Sequence, residues 1–270
     1  MRALLLAGLL LAACGPDRGQ EADRRLVLFG PSLTETLFAC GAGDIVAGVD
    51  RYSDWPPEAE SLPDVGGYLD PNLEQVASLR PTSIHSVGSS PELAELARAL
   101  GVPYRSWSFD TLDDALEAMS ALGSAYGSGT APSARIRATL DSLGRVTPPA
   151  VLSLVVSHTP GSGSVTLAGR ETFLGGMVEA MGCSLAAPEA VAYPRVSLEG
   201  MLRLDPQLMV YLVPDRSRPA DYAAQVRELW EGMGMEGSDV HVLTEDYLLV
   251  PGPRMGRTAR RISECVRSSS

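Results

Sequence analysis

Two tyrosines and two glutamates stand in matching frames. The first frame reads Tyr68-Leu-Asp-Pro-Asn-Leu-Glu74, followed by Val76, Leu79, Pro81 and Ile84. The second reads Tyr193-Pro-Arg-Val-Ser-Leu-Glu199, followed by Met201, Leu204, Pro206 and Met209. Each glutamate stands two residues after a helix-capping residue, Asn72 or Ser197, in a first helical turn. The helix macrodipole favours a carboxylate there by ~0.3–1 kcal/mol, which accounts for either glutamate alone. The repetition asks for more. Two equivalent carboxylates, one per repeat, suit two arginine patches on a symmetric partner. Each tyrosine lies six residues before its glutamate. Loops entering the helices of parallel α/β units face a crevice at the strand ends. A ring from each repeat would wall that crevice from two sides.

Other aromatic residues fall in or near strand-end loops: Tyr52, Trp55 and Trp107. Rings give large apolar contact at low entropic cost, which suits a bulky, flat or macrocyclic ligand. Arg51, Arg170 and Arg195 lie in segments expected to border the crevice and are candidates for an anionic group on that ligand. Solvated surface arginine is the competing reading. The chemistry of catalysis finds no support. His85, His158 and His241 lack metal-ligand spacing. His85 reads as a packed strand histidine, and His158 as part of a loop beside the ligand. Gly161-Ser-Gly-Ser164 has neither the P-loop lysine nor the Gly-x-Ser-x-Gly frame. The expected class is a binding protein with no catalytic residue, no cofactor of its own and no metal site.

Strand and helix signals alternate along the chain, which argues for parallel α/β architecture. Arg25–Gly30 reads as a strand, and Ser32-Leu-Thr-Glu35 as a capping box opening a helix that stops near Cys40. A second strand spans Ile45–Val49. Asn72 caps a short helix, Ser83–Val87 is a strand, Ser90-Pro91 opens another helix, and Val102–Trp107 is a strand. Helical periodicity covers Thr111–Leu122 and Pro132–Val146, with a Gly/Ser break between them. Val151–Val156 opens the second half. Helices are predicted over Arg170–Met181, Tyr222–Met233 and Arg257–Val266. The fold class is therefore two Rossmann-like α/β lobes with parallel sheets, joined by a single bridging helix. The expected divisions are an N-terminal lobe over 26–111, a helical connection over 112–148 and a C-terminal lobe over 149–267. A helical link resists bending, so limited closure on ligand is expected.

The chain has 270 residues, 45% of them hydrophobic, 20% charged, and a formal charge of −11. That balance is ordinary for globular protein and disfavours a nucleic-acid role, which needs a basic surface. Every basic residue other than histidine is arginine. Arg2 precedes an apolar run, Ala3–Ala13, too short for the ~20 residues that span a bilayer. It ends in Leu11-Ala-Ala-Cys14, which reads as a lipoprotein signal over 1–14 with Cys14 as the lipidated first residue. Residues 15–25 are polar and read as a tether. Export permits disulfides. Cys40 reads as a buried small hydrophobe, and Cys183 with Cys265 as a candidate pair.

Arg25-Leu-Val-Leu-Phe-Gly-Pro-Ser-Leu-Thr-Glu-Thr-Leu-Phe-Ala-Cys-Gly-Ala-Gly-Asp44 resembles the opening of the periplasmic binding proteins for vitamin B12 and ferric siderophores. Val49-Asp-Arg-Tyr-Ser-Asp-Trp-Pro-Pro57 and Val65-Gly-Gly-Tyr through Pro81 continue the resemblance. It implies two α/β lobes bridged by a long helix and delivery of ligand to an ABC-type importer. It also implies that Glu74 and Glu199 dock onto permease arginines, and that Tyr52, Tyr68, Tyr193 and Asp246 contact ligand. The chain departs from the B12-binding branch at Val87 and Val250, where that branch has Trp and Arg. The bridging segment near Pro132–Val146 is short for the family.

These readings combine into a monomeric, lipid-anchored receptor at the periplasm or cell surface. It would bind a corrinoid or ferric siderophore through Tyr52, Trp55, Tyr68, Tyr193, Asp246, Arg51 and Arg195. Its partner would be an ABC permease dimer with its ATPase. A haem or metal receptor of the same fold, or a ligand sensor not coupled to transport, remains open. A secreted hydrolase would need a nucleophile, base and acid that the sequence does not offer.

Overall fold

The computed structural model describes residues 23–127, 132–146, 150–159, 161–189, 191–214, 221–235 and 237–269. The signal segment, Cys14 and residues 15–22 of the tether lie outside them.

The N-terminal lobe is built from strand–helix alternation. Its elements are β1 Leu26–Phe29, α1 Pro31–Ala39, β2 Val46–Val49, α2 Leu73–Ser78, β3 Ser83–Val87, α3 Pro91–Leu100 and β4 Tyr104–Trp107. The strands form a parallel sheet in the order β2-β1-β3-β4. β1 is buried along its whole length, the pattern of a central strand covered on both faces. Ser90 caps α3, and Gly101 ends it in the left-handed region.

Two helices then carry the chain across, α4 Leu112–Tyr126 and α5 Pro132–Leu143. The connection among the described residues is thus helical, a pair of helices over the two segments where the sequence predicts them. α4 runs through Gly123 and Ser124, where the sequence predicts a break. Its buried face, Ala115, Leu116, Met119 and Leu122, continues through Gly123 against the core, and that burial outweighs the poor helix propensity of glycine. α4 packs on α1 of the first lobe and on α6, Phe173–Ala180, of the second. A Cβ at Gly176 would lie 2.7 Å from Leu112 Cβ, so glycine is what lets these two helices approach.

The second lobe comprises β5 Val151–His158, β6 Ser164–Leu167, α6, β7 Ser184–Leu185, β8 Arg195–Ser197, α7 Leu198–Leu204, β9 Leu208–Leu212, α8 Tyr222–Gly232, β10 Asp239–Leu243 and α9 Met255–Ser268. Its sheet runs β10-β9-β5-β6-β8, with β7 beside β5. This sheet is mixed rather than parallel. β6 returns from β5 through a tight turn and lies antiparallel to both β5 and β8. The Gly161-Ser-Gly-Ser164 segment, read from sequence as a flexible loop, carries part of that turn. Such a hairpin needs only a short connection, whereas a parallel neighbour needs a crossover.

One apolar cluster runs through both lobes. Leu26, Leu33 and Leu37 of the first share it with Leu152, Phe173, Met177 and Ile262 of the second, through Leu116 and Met119 of α4. A shared core resists wide separation of the lobes. Cys183 and Cys265 belong to this cluster, and Cys40 is buried too; all three are free thiols. The candidate Cys183–Cys265 bond is therefore absent. Each thiol acts as a small apolar group filling core space. Among the described residues no helix is long and apolar enough to cross a membrane.

Candidate functional site

The strand ends of the first lobe set the site. Asp50 follows β2 and is buried. Its carboxylate accepts a short hydrogen bond from Ser53, whose oxygen in turn accepts from Thr34 at 2.9 Å. Burial pushes the Asp50 carboxyl up, against the pull of these donors. This network pins the loop that carries Arg51 and Tyr52. Tyr52 is 62% exposed. Arg51 is turned onto Asp70 at 3.0 Å.

Tyr68 lies over the end of β3. Its hydroxyl donates to the Ser89 carbonyl at 2.7 Å. A Cβ at Gly88 would stand 3.3 Å from that hydroxyl, and Gly88 has φ +71°, so the ring sits on bare backbone. Burial raises the phenol pKa. β4 ends beside β3 and leads to Asp110, whose carbonyl accepts the Phe173 N–H of the second lobe at 2.7 Å. Tyr193 is half-exposed beside this junction; burial and then the Asp110 charge raise its phenol. The two tyrosines thus border adjacent strand ends, one from each lobe.

The glutamates follow the same local geometry twice. Asn72 Oδ1 accepts from Gln75 N–H at 3.0 Å, and Ser197 Oγ accepts from Gly200 N–H at 3.0 Å. Glu74 and Glu199 stand in the first turns of α2 and α7, and both are exposed. The repeat in sequence is therefore a repeat in structure.

The remaining candidates have partners of their own. Arg195 Nε donates to Ser164 Oγ at 2.8 Å, and Arg170 meets Glu179 at 3.8 Å. Trp107 Nε1 donates to His85 Nδ1 at 3.0 Å. His85 is fully buried, as its strand position predicts, and accepts or donates at Ser83. His158 closes β5 as a buried strand residue, edge-on to Tyr211 at 5.8 Å, rather than lying in a loop. Among the described residues no group of three metal-ligating side chains converges.

A charged cluster escaped the sequence. Glu35 is no capping residue. Pro31 occupies the first turn, Gly30 is the N-cap without a side-chain bond, and Glu35 faces inward. Its carboxylate takes Arg254 Nη2 at 2.7 Å and Nε at 3.0 Å. Arg254 Nη1 donates to Asp246 at 3.2 Å, so the acid expected to contact ligand is held by arginine. The guanidinium lies 4.9 Å from the Trp55 ring centroid and 5.6 Å from that of Tyr247. Burial raises the Glu35 carboxyl, and the Arg254 bonds oppose that rise. Glu35 and Arg254 are 219 residues apart, and no local pattern signals such a pair.

A cavity of about 650 Å³ lies along α1 and the Trp55–Leu62 segment, with Pro253 also in its lining. It holds Glu35 and Trp55 but none of Tyr52, Tyr68 or Tyr193. The volume suits a ligand, but the partly buried Tyr68, the exposed Tyr193 and the duplicated glutamates lie at the strand ends. The strand-end crevice is therefore the candidate site, and the cavity is a side groove.

Known proteins agree with this architecture. A vitamin B12-binding protein of Vibrio cholerae is 27% identical over 254 residues, covering 85% of this chain and 84% of its own. One from Pectobacterium carotovorum is 26% identical over 267 residues, covering 95% and 92%. The crystal structure of the periplasmic vitamin B12 binding protein of Vibrio cholerae superposes with a TM-score of 0.72 at 23% identity, covering 91% of this chain and 97% of that one. The apo periplasmic haem-binding protein from Roseiflexus superposes with a TM-score of 0.70 at 23% identity, covering 91% and 98%. Residues 26–229 match the periplasmic binding protein family. With two α/β lobes and a family match along most of its length, this chain belongs to that family, whose members bind solutes rather than transform them.

Proposed function

We propose that this chain is a lipid-anchored extracytoplasmic receptor that delivers a corrinoid to an ABC importer. The observation that carries the reading is the pairing of Tyr68 and Tyr193 along adjacent strand ends, each followed by a capped, exposed glutamate. Two rings at neighbouring strand ends, one from each lobe, suit a broad planar macrocycle. Tyr52, Trp55 and Asp246 complete the ligand set. Arg51 and Arg195 shape the rim through their bonds to Asp70 and Ser164. With those cations engaged and Asp110 and Asp246 nearby, an uncharged or weakly charged ligand is favoured over an anionic ferric siderophore. The likeness to vitamin B12-binding proteins along most of the chain supports the same choice.

Cys14 anchors the mature protein through its lipid, and residues 15–25 tether the lobes at the periplasm or cell surface. Glu74 and Glu199 dock onto arginines of a permease dimer that works with an ATPase. Tryptophan fluorescence under titration with cyanocobalamin, cobinamide, haemin and a ferric hydroxamate siderophore tests the ligand. Saturable one-to-one binding of the corrinoids alone is expected. Binding of haemin or siderophore without corrinoid would replace the ligand, and binding of none would remove the receptor reading.

A further inference from the structure

Among the described residues, the ion pairs stay within one lobe except Glu35–Arg254. That pair joins α1 of the first lobe to the entrance of α9 in the second. It is bidentate, and both side chains are buried, Arg254 at 7% and Glu35 at 2% exposure. A buried charge that loses its partner is strongly penalised, so the pair strongly favours the arrangement that keeps it made. The backbone leans on the same spot. A Cβ at Gly252 would stand 3.3 Å from Glu35 Oε2 and 3.7 Å from Ser32 Cα.

The same guanidinium holds two candidate ligand contacts. Its face lies over Trp55 from the first lobe, and its Nη1 holds Asp246 from the second. Asp246 stays 42% exposed, so it is oriented without being hidden. A planar fork with five donors can serve all these contacts at once; an ammonium cannot. The lobes are already linked through the α4–α5 connection and a shared core. Arg254 adds a polar tie between them.

We propose that Arg254 is a positioning residue that latches the two lobes and presets the crevice, fixing Trp55 and Asp246 relative to each other before ligand arrives. The affinity consequence rests on the receptor reading above; the latch itself does not. The site would then bind with little rearrangement, since the ordering cost is met in the unliganded protein.

Double electron–electron resonance tests this on the full chain carrying Cys14→Ser, with nitroxides at Glu60→Cys and Glu228→Cys, exposed positions on opposite lobes. The three remaining native cysteines are buried. The unvaried latch should give one narrow distance distribution, unchanged by cyanocobalamin. Arg254→Lys should broaden it. So should the double variant Glu35→Met/Arg254→Met, which preserves buried volume and removes both charges, so that a broadened distribution in a cooperatively melting protein is not a folding failure. Adding cyanocobalamin should narrow the broadened distributions, with affinity at least ~10-fold weaker than in the unvaried protein, a difference of about 1.4 kcal/mol. A narrow distribution in both variants overturns the latch, whether or not affinity falls. If no corrinoid binds even the unvaried protein, the ligand reading fails while the distance measurement in the unliganded state still decides the latch.

Discussion

The Tyr68 hydroxyl donates to the Ser89 carbonyl at 2.7 Å, which ties the loop entering α2 to the end of β3. The ring is therefore held against a strand end instead of swinging on its loop. Tyr68→Phe removes one neutral hydrogen bond, worth about 1 kcal/mol. Corrinoid affinity is expected to fall roughly five-fold by that amount. Tyr68→Ala removes the wall as well, and a loss of about 2 kcal/mol or more is expected, as for a buried aromatic anchor. Isothermal titration of both variants checks the order. Equal affinities for Phe, Ala and the unvaried protein would take Tyr68 out of the site.

Glu74 and Glu199 are exposed and stand in first turns capped alike, and neither takes part in a described ion pair. Glu74→Arg with Glu199→Arg should lower stability only by the lost helix-dipole interaction, ~0.3–1 kcal/mol or somewhat more per site, and leave corrinoid affinity near its original value while abolishing complex formation with the importer. Pull-down with the reconstituted permease, alongside ligand titration, separates the two effects. Retained complex formation would reject the docking role.

His85 gives a pH signature. Burial pushes its pKa from 6.5 down to about 4. Between those values the unfolded chain binds the extra proton, so stability rises with pH there and is lost as pH falls toward 4. At about 1.36 kcal/mol per unit, the contribution is on the order of 3 kcal/mol. Glu35 and Asp50, raised by burial, act in the opposite sense: their contribution is present at low pH and lost as pH rises through their folded pKa values. Comparing His85→Gln with the unvaried protein by urea unfolding isolates the histidine. The variant should show a flatter stability profile across that window. Parallel profiles would contradict a buried neutral histidine.

The thiols are free and buried, so a reductant should not change the melting temperature. Cys183→Ala and Cys265→Ala should each destabilise modestly through lost packing, with effects that add in the double variant, as expected when no bond joins the two sites. A large reductant-dependent fall in melting temperature would restore the disulfide.

Much of this molecule was legible in its residues. Strand–helix alternation announced the first lobe, because each of its elements carries its own local signal: Asn72 and Ser90 as caps, Gly101 as a stop, β-rich runs for β1 and β3. The matched Tyr/Glu frames announced the repeated turn, because a capping residue followed by Leu-Glu produces the same capped geometry at 72–75 and 197–200. The antiparallel β6 and β8 stayed hidden because they are only four and three residues long and carry no distinct periodicity. Ser32–Glu35 looked like a capping box because the pattern is local, while the helix start was settled two residues earlier by Gly30-Pro31.

What the residues determined alone was everything decided within a few positions: helices, caps, the duplicated frames and the acidic balance of the surface. Tertiary structure decided the pairings. Arg51 chose Asp70, Arg254 chose Glu35 and Asp246, and three thiols went separately into the core. A charge or a thiol takes its role from whatever the folded chain brings within a few ångströms, and Glu35 meets Arg254 only after a chain separation of 219 residues has been folded up.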